Sequence, residues 1–207
     1  MKKIFLVYLL SILSLSLYAE KVNLIYDNST EWVDVGDEFL MSYGSKVTEI
    51  KFESENPDIR KIVLEGNAFL KDYSFIAECK NLQVLVINDA SVKDFSFLEN
   101  CRSLKIIAFD SVKFEKMVDL RKLENLEYIA FTNCALSEFS NIKNHAKKLK
   151  YVNLSYNKIS RVPNFNFNDK ALYFLAGNNI LSSSCKNCVF DTDVNKYLSD
   201  EFKAYVR

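Results

Sequence analysis

The residues of this chain best suited to chemistry are its five cysteines. Cys185 and Cys188 form a C-x-x-C pair, a spacing found in redox sites and in one half of many zinc sites. The pair does not follow a strand in a βαβ unit, and neither a second cysteine pair nor a histidine pair lies nearby. The sequence therefore predicts a local disulfide between Cys185 and Cys188 or two unpaired thiols, and it argues against redox and metal chemistry.

Two of the other cysteines, Cys79 and Cys101, occupy equivalent places in neighbouring copies of a sequence repeat. One interpretation makes them small apolar residues of the core. The alternative is a disulfide, which an exported protein could form. Cys134 is predicted to be a buried thiol.

The remaining candidates for chemistry have simple structural explanations. His145 is the only histidine, and it is predicted to point to solvent without the partners that a triad or zinc site needs. Asp191–Asn195 begins like a calcium loop, but Lys196 and Phe202 stand where that loop needs Gly and an acid. An Asp here is predicted to cap a helix. With no phosphate loop or nucleophile elbow either, we expect a non-enzymatic protein without cofactor or metal.

The elements that position these residues come from a repeat of 21–23 residues. An apolar frame such as Leu82-x-x-Leu85-x-Ile87-x-x-Ala90-x-Val92 recurs, and its ninth position is occupied in turn by Asn67, Ala90, Val112, Cys134, Asn157 and Asn178. A fixed period in this range indicates stacked units that share one core.

Each copy predicts a short strand that ends at this ninth position. Two apolar residues at spacing two bury one face of the strand. An Asn at the ninth position can bond backbone groups of the adjacent turn, which have no sheet partner. Asn67, Asn157 and Asn178 can form these bonds, and Cys134 can form them weakly. Ala90 and Val112 cannot, so apolar packing must take the place of the bonds there.

The frame resembles the leucine-rich repeat family, and its 22-residue spacing is similar to the internalin-like bacterial subclass. Val92, Asp94, Phe95, Ser96 and Leu98 match the positions that follow the strand in that pattern. The resemblance implies a right-handed α/β solenoid with a parallel sheet on its concave face and short turns or 3₁₀ segments on its convex face. Phe75 and Phe97 replace the Pro of the family pattern.

We expect four segments: a signal peptide (1–19), an N-terminal cap (20–58), about six leucine-rich repeats (59–181) and a C-terminal cap (182–207). Val47, Ile50 and Phe52 predict a strand that forms a hairpin onto the first repeat. The residues expected inside the N-terminal cap are Trp32, Phe39, Leu40 and Met41. The C-terminal cap is predicted to be a short amphipathic helix, with its apolar face formed by Val194, Leu198, Phe202 and Val206.

The N-terminus predicts export. Lys2 and Lys3 precede an apolar run of about 14 residues, which is shorter than the roughly 20 that span a bilayer. Removal of residues 1–19 leaves 25 basic and 27 acidic residues, a net charge of −2. This balance argues against nucleic acid and anionic membranes as partners. The protein is expected to be secreted, at the cell surface or periplasmic, with no membrane insertion after signal removal.

The register also predicts an apolar and aromatic concave face with an acidic fringe. Two outward columns are Lys61, Val84, Ile106, Tyr128, Tyr151, Leu172 and Val63, Val86, Ala108, Ala130, Asn153, Phe174. A third contains Glu65, Asn88, Asp110 and Ser155, with Asp89 and Tyr156 beside it. The predicted partner-binding residues are Val84, Val86, Asp89, Ile106, Asp110, Tyr128, Tyr151, Tyr156 and Phe174. A large exposed apolar patch usually marks an interaction surface.

Two kinds of occupant are consistent with this face. The first is a protein partner held by the aromatic residues, with Asp89 and Asp110 attracting a basic segment. The second is the chain itself, through its C-terminal tail or a homodimer. The favoured function is a non-enzymatic exported binding protein for adhesion or host interaction; the alternative is a periplasmic or envelope scaffold or inhibitor with an endogenous partner.

Overall fold

The structure is a computed structural model that describes residues 20–114, 118–139, 147–159, 171–177 and 187–203. Its strands are β1 (Glu20–Tyr26), β2 (Ser29–Val35), β3 (Glu38–Met41), β4 (Glu49–Phe52), β5 (Lys61–Glu65), β6 (Val84–Asn88), β7 (Ser91–Val92), β8 (Ile106–Asp110), β9 (Lys113–Phe114), β10 (Tyr128–Thr132), β11 (Tyr151–Asn153), β12 (Leu172–Phe174) and β13 (Cys188–Val189). The helices are 3₁₀ segments at Ser74–Glu78, Ser96–Asn100 and Val194–Lys196, and the short α1 at Asp200–Lys203.

A parallel sheet of eight strands runs through the described part of the chain, in the order β3, β5, β6, β8, β10, β11, β12, β13. Each strand buries its alternate apolar residues, such as Leu85 and Ile87, against the convex layer behind it. The predicted leucine-rich-repeat solenoid with a concave parallel sheet is confirmed.

The first strand of this sheet, β3, lies in a region that the sequence assigned to the cap. Phe39 pairs with Ile62 and Met41 pairs with Leu64 in parallel register. Both pairs are separated by 23 residues, one repeat length. Residues 39–41 are therefore an additional copy of the frame, which has Gly36 where later copies have a large apolar residue.

The expected hairpin between Ile50 and the first repeat is wrong. β4 instead pairs antiparallel with β1, which also pairs with β2, so that these three strands form a separate sheet. Leu24 opposite Ile50 and Val22 opposite Phe52 fill its inner face. Phe39 and Met41 are buried as expected and Leu40 is half-buried.

Trp32 was also expected inside the cap, but it is 53% exposed. It lies on β2, an edge strand whose only sheet partner is β1, and five of the seven β2 residues are exposed. Because no described element covers this face of β2, an alternating pattern there does not lead to burial.

The convex side carries the 3₁₀ segments that the resemblance implied. Phe75 and Phe97, the residues that replace Pro, are buried within these segments. The Phe75 ring lies 5.9 Å from that of Phe52, which joins the N-terminal sheet to the first convex turn. Cys79 and Cys101 end the same two segments and are buried free thiols, so the core interpretation is confirmed over the disulfide.

The predicted asparagine ladder is confirmed at two positions. The Asn67 amide donates to Val47 O at 2.9 Å, and its oxygen accepts from the N–H groups of Phe69 and Leu70. Asn157 makes the same kind of bonds: it donates to Phe131 O and accepts from the N–H of Cys134. Asn178 lies outside the described residues.

The central part of the ladder is replaced by weaker bonds and aromatic packing. The Cys134 thiol donates to Thr132 O at 3.1 Å and Val112 is buried. Beside them the Phe109 ring stacks on that of Phe131 with centroids 5.2 Å apart, and Phe114 stacks on Phe95 at 5.0 Å. Apolar packing therefore takes the place of the missing asparagines, as the sequence indicated.

The C-terminal segment 187–203 adds β13 to the end of the sheet and contains α1, so the predicted C-terminal helix is present but short. After β13 the segment turns back over the concave face, where Val194, Leu198 and Phe202 join one buried cluster with the outward residues of the sheet. The three apolar residues are buried as expected; Val206 lies outside the described residues. Within the described residues, none of the helices is long and apolar enough to cross a membrane.

Candidate functional site on the concave face

The strand pairing confirms the register of the two central columns. Val84 pairs with Ile106, Ile106 with Tyr128, and Tyr128 with Tyr151. The neighbouring column follows the same pairing from Val63 to Phe174. These side chains all point away from the solenoid core, because each is next to a strand residue, such as Leu85 or Ile107, that points into it.

The third column contains one residue that the sequence prediction omitted. Asp110 pairs with Thr132, and Ser155 follows Thr132 one repeat later, where its carbonyl accepts from the N–H of Asn133. Ser155 is buried, and its hydroxyl accepts a bond from the N–H of Ala176. The Thr132 hydroxyl donates to Asp110 Oδ1 at 2.5 Å and the Ser111 hydroxyl donates to Asp110 Oδ2 at 3.2 Å.

The C-terminal half of the concave face is covered by segment 187–203. The Phe202 ring stacks on Tyr128 with centroids 5.4 Å apart and meets the edge of Tyr151 at 5.2 Å. Lys150 Nζ lies 5.6 Å from the Phe202 ring, and Tyr197 packs against Phe174. The chain thus covers part of its own apolar patch with its C-terminal tail, one of the two alternatives that the sequence allowed.

The predicted binding residues consequently fall into three groups. Those that are buried in one cluster with residues of the covering segment are Val86, Ile106, Tyr128 and Phe174. Those that are half-buried are Val84, Asp110 and Tyr151. Asp89 and Tyr156 are exposed. The first group is therefore part of an internal cluster and is not open to solvent.

A column of left-handed residues at the strand ends was missed in the sequence. Its members are one repeat apart: Gly66, Asp89, Ser111, Asn133, Tyr156 and Gly177, with φ between 49° and 81°. The Asp89 N–H donates to Asp110 O in the next coil, and the other non-terminal members bond in the same way. Gly, Asp and Asn tolerate this conformation best, so their recurrence just before the ladder position was a usable signal. We call this column the rim.

Tyr156 is the exceptional member of the rim. A bulky aromatic residue rarely adopts a positive φ, and Tyr156 does so at 60°. Its ring lies over Gly177, where an added Cβ would overlap it. At the other end of the rim, Tyr43 covers Gly66 in the same manner, and both tyrosines are nearly half exposed.

The thiols are unsuited to nucleophilic chemistry. Burial raises the pKa of Cys101 to about 12 and raises that of Cys79 further, with smaller contributions from Cys101 and Glu78. Burial also raises the pKa of Cys134 to about 12, against a weaker effect of backbone hydrogen bonds. Near neutral pH all three are therefore protonated, and the thiolate is the nucleophilic form.

The other residues considered for chemistry have structural partners or lie outside the described residues. Asp191 accepts from the Asp193 N–H at 2.9 Å and pairs with Lys196 at 3.1 Å. Asp193 precedes the 3₁₀ segment but makes no capping bond with its side chain. Cys188 is disulfide-bonded; Cys185 and His145 lie outside the described residues, so the pairing of Cys185 with Cys188 stays a prediction. The described residues include no group of three or more metal-ligating side chains placed to share an ion.

Comparison with known proteins supports the fold. Neither a family model nor a curated sequence matches the chain. Among solved structures, internalin C2 of Listeria monocytogenes superposes with a TM-score of 0.51 at 21% identity, over 69% of this chain and 58% of that one. A second Listeria monocytogenes internalin, InlF, gives a TM-score of 0.52 at 16% identity, over 60% of this chain and 36% of that one. This chain therefore spans little more than half of one internalin and about a third of the other, and it has the internalin-like leucine-rich-repeat fold.

Proposed function

We propose that this chain is an exported, non-enzymatic protein that binds a protein partner through its concave face, in adhesion or contact with a host cell. Solenoids of this kind present extended concave surfaces to their partners. The fold shared with the internalins supports a role in protein–protein interaction. The thiols are protonated at neutral pH, which removes the best nucleophiles among the described residues.

The observation that carries this proposal is the N-terminal half of the concave sheet, β3 to β8, part of which stays accessible among the residues that the structure describes. Val63 and Val84 are only half-buried there, whereas Phe174 in the other half is fully buried. The acidic rim residue Asp89 is exposed next to this surface. An apolar centre with a charged edge is the composition of a transient protein interface.

The charge of this region favours a basic partner segment. Asp89 and Asp110 lie at the strand ends, and the chain without residues 1–19 carries a net charge of −2. Complementary charge at the edge of an interface chiefly accelerates association and fixes orientation. Tyr156, exposed on the same rim, offers an aromatic contact of the kind enriched at binding hot spots.

Site-specific photocrosslinking tests this proposal on the chain expressed and exported from residue 1. A benzophenone amino acid at Tyr156 is compared with the same residue at Trp32, an equally exposed aromatic position on the N-terminal sheet. We expect one partner to crosslink at Tyr156 and not at Trp32. Equal capture at both positions, or none at Tyr156, contradicts binding at the concave face.

A matched pair of neutralised acids tests the role of charge. Asp89→Asn keeps a residue that tolerates a positive φ, and Glu124→Gln neutralises an exposed acid away from the rim. We expect Asp89→Asn to weaken binding of the crosslinked partner several-fold and to reduce its salt dependence. The same loss in Glu124→Gln would show a nonspecific charge effect.

The second candidate is a periplasmic or envelope scaffold, or an inhibitor, with an endogenous partner. Protease treatment of intact cells separates the two candidates. Digestion without cell disruption supports adhesion, and protection until the outer layer is opened supports the envelope role. Sedimentation of the purified chain tests a homodimer as the alternative occupant of the open half.

A further inference from the structure

A cavity of about 220 Å³ opens on the N-terminal half of the concave sheet and extends to Tyr128, whose ring contacts Phe202 of the covering segment. Its floor is apolar and includes Val63, Val86 and Ala108. Polar side chains from several strands surround the floor. Pockets for drug-sized ligands begin at about 300 Å³, so this cavity suits one side chain better than a cofactor.

Two nearly buried polar residues line the cavity, Asn88 and Tyr128. Asn88 is 3% exposed, and its side-chain amide is part of the cavity wall. The hydroxyl of Tyr128 is buried, and it makes no hydrogen bond of normal geometry with a described residue. The Asn153 side chain is a polar group close to it. Buried polar groups are usually satisfied, and each one left unpaired costs roughly 1–3 kcal/mol.

The charges around the cavity favour a cation. Asp110 and Glu65 line it, and the one lining base, Lys61, already pairs with Glu38 at 3.0 Å. The Asp110 carboxylate accepts one hydrogen bond at each oxygen, from Thr132 and Ser111. A carboxylate has about four acceptor sites, so Asp110 can accept further donors.

We propose that this cavity receives the side chain of one arginine or lysine from the protein partner. The aliphatic stem lies on the apolar floor, as long cationic side chains commonly do. The charged head donates to Asp110 and to the amide oxygen of Asn88, and the Tyr128 hydroxyl lies beside it. This inference rests on the proposed function, because the cation belongs to a partner that docks on the same face.

Titration with a single side-chain mimic tests the cavity directly. The probe is N-acetyl-arginine amide, added to the full chain and followed by amide NMR shifts. N-acetyl-citrulline amide has nearly the same shape without the charge and is the matched control. We expect saturable shifts at Asn88, Asp110 and Thr132 with the arginine probe, and at least tenfold weaker binding of the citrulline probe. Equal affinity for both probes, or no saturable shift, overturns the proposal.

Two variants separate charge recognition from a general change in the fold. Asp110→Asn retains an acceptor for Thr132 and removes the charge; we expect it to weaken the arginine probe at least tenfold. Glu124→Gln removes an exposed charge outside the cavity and should leave that affinity unchanged. Unchanged spectra away from the cavity verify folding. Retained affinity in Asp110→Asn overturns the proposal.

The two proposals fail in different ways. Crosslinking at Tyr156 without binding of the arginine probe leaves the concave interface in place and removes the cation pocket. Binding of the probe without a crosslinked partner supports the pocket chemistry and contradicts a protein partner at this face.

Discussion

The two halves of the concave sheet are built from the same repeat but have different surroundings. In the C-terminal half, Tyr128 and Phe174 are fully buried beneath the chain's own tail. In the N-terminal half, Val63 and Val84 remain partly accessible and polar groups surround a cavity. The difference shows that an aromatic concave face in this solenoid can be structural core, while the less aromatic half stays partly accessible among the described residues.

The largest effect is expected from Phe202→Ala, which removes the ring that stacks on Tyr128 and meets Tyr151 edge-on. Truncation of a buried Phe costs about 3–5 kcal/mol. We expect a loss of this size in the free energy of unfolding, measured in urea, or early detachment of the segment detected by hydrogen exchange. Phe190→Ala in the same segment removes a ring that is 43% exposed and should cost less than about 0.5 kcal/mol. Equal losses of stability in the two variants would mean that segment 187–203 is not held on the sheet by its buried apolar side chains.

Substitution of two buried asparagines distinguishes an amide that supports the fold from one that is available to a ligand. Asn157→Ala removes the acceptor for the N–H groups of Cys134 and Leu136 and the donor to Phe131 O. We expect a loss of roughly 2–4 kcal/mol in urea unfolding, because backbone groups are left unpaired. Asn88→Ala in the open half should cost less than about 1 kcal/mol. A larger loss at Asn88 would show that its amide also supports the fold.

Substitution of the two rim glycines tests whether the two halves of the concave sheet also differ in stability at the rim. Gly66→Ala and Gly177→Ala each place a Cβ at a positive φ and against a tyrosine ring. We expect each to lower the free energy of unfolding by about 1–2 kcal/mol. Gly36→Ala, where an added Cβ meets nothing within 4 Å, should stay within about 0.5 kcal/mol. A much larger loss at Gly177 than at Gly66 would show that the cover also stabilises the rim.

The smallest effect is expected from Lys150→Met, which removes the cation near the Phe202 ring and keeps most of the aliphatic stem. A partly exposed cation–π contact contributes about 0.5–1 kcal/mol. We expect hydrogen exchange of segment 187–203 to accelerate accordingly, with Lys148→Met as the control. The hydrogen bond that Lys150 Nζ donates to the Glu127 carboxylate raises the pKa of Lys150. Its charge and this contribution therefore persist below pH 10.5 and are lost only as pH rises through the higher folded value. If the difference in exchange protection of segment 187–203 between Lys150→Met and the unsubstituted chain changed between pH 6 and pH 9, the persistence of the Lys150 charge over this range would be contradicted.

The repeat was enough to predict the solenoid, the register of the two central columns and the bonding of Asn67 and Asn157. These features follow from local spacing, which sets the face on which each side chain lies. The spacing of Val194, Leu198 and Phe202 also predicted correctly that they are buried. It could not predict the surface they pack on, because the stack end and the concave face are both apolar and both within reach.

The misplaced N-terminal elements have a related cause. Trp32 and Ile50 lie in alternating segments, and alternation shows which residues share a face without showing which strand is the neighbour. The 23-residue distance from Phe39 to Ile62 was present in the sequence and predicts β3 as an additional coil. The cavity was less accessible to prediction, because the buried Tyr128 hydroxyl in its wall can be recognised as unsatisfied only once its neighbours are known.

The packing of segment 187–203 makes it a tethered competitor for the C-terminal half of the concave face. A tethered ligand acts at an effective concentration on the order of millimolar. A partner present at about 1 μM that sought the same apolar surface would need roughly a thousandfold higher intrinsic affinity than the tail to displace half of it. The tail therefore raises the affinity that any hydrophobic ligand would need in order to reach Tyr128 and Phe174.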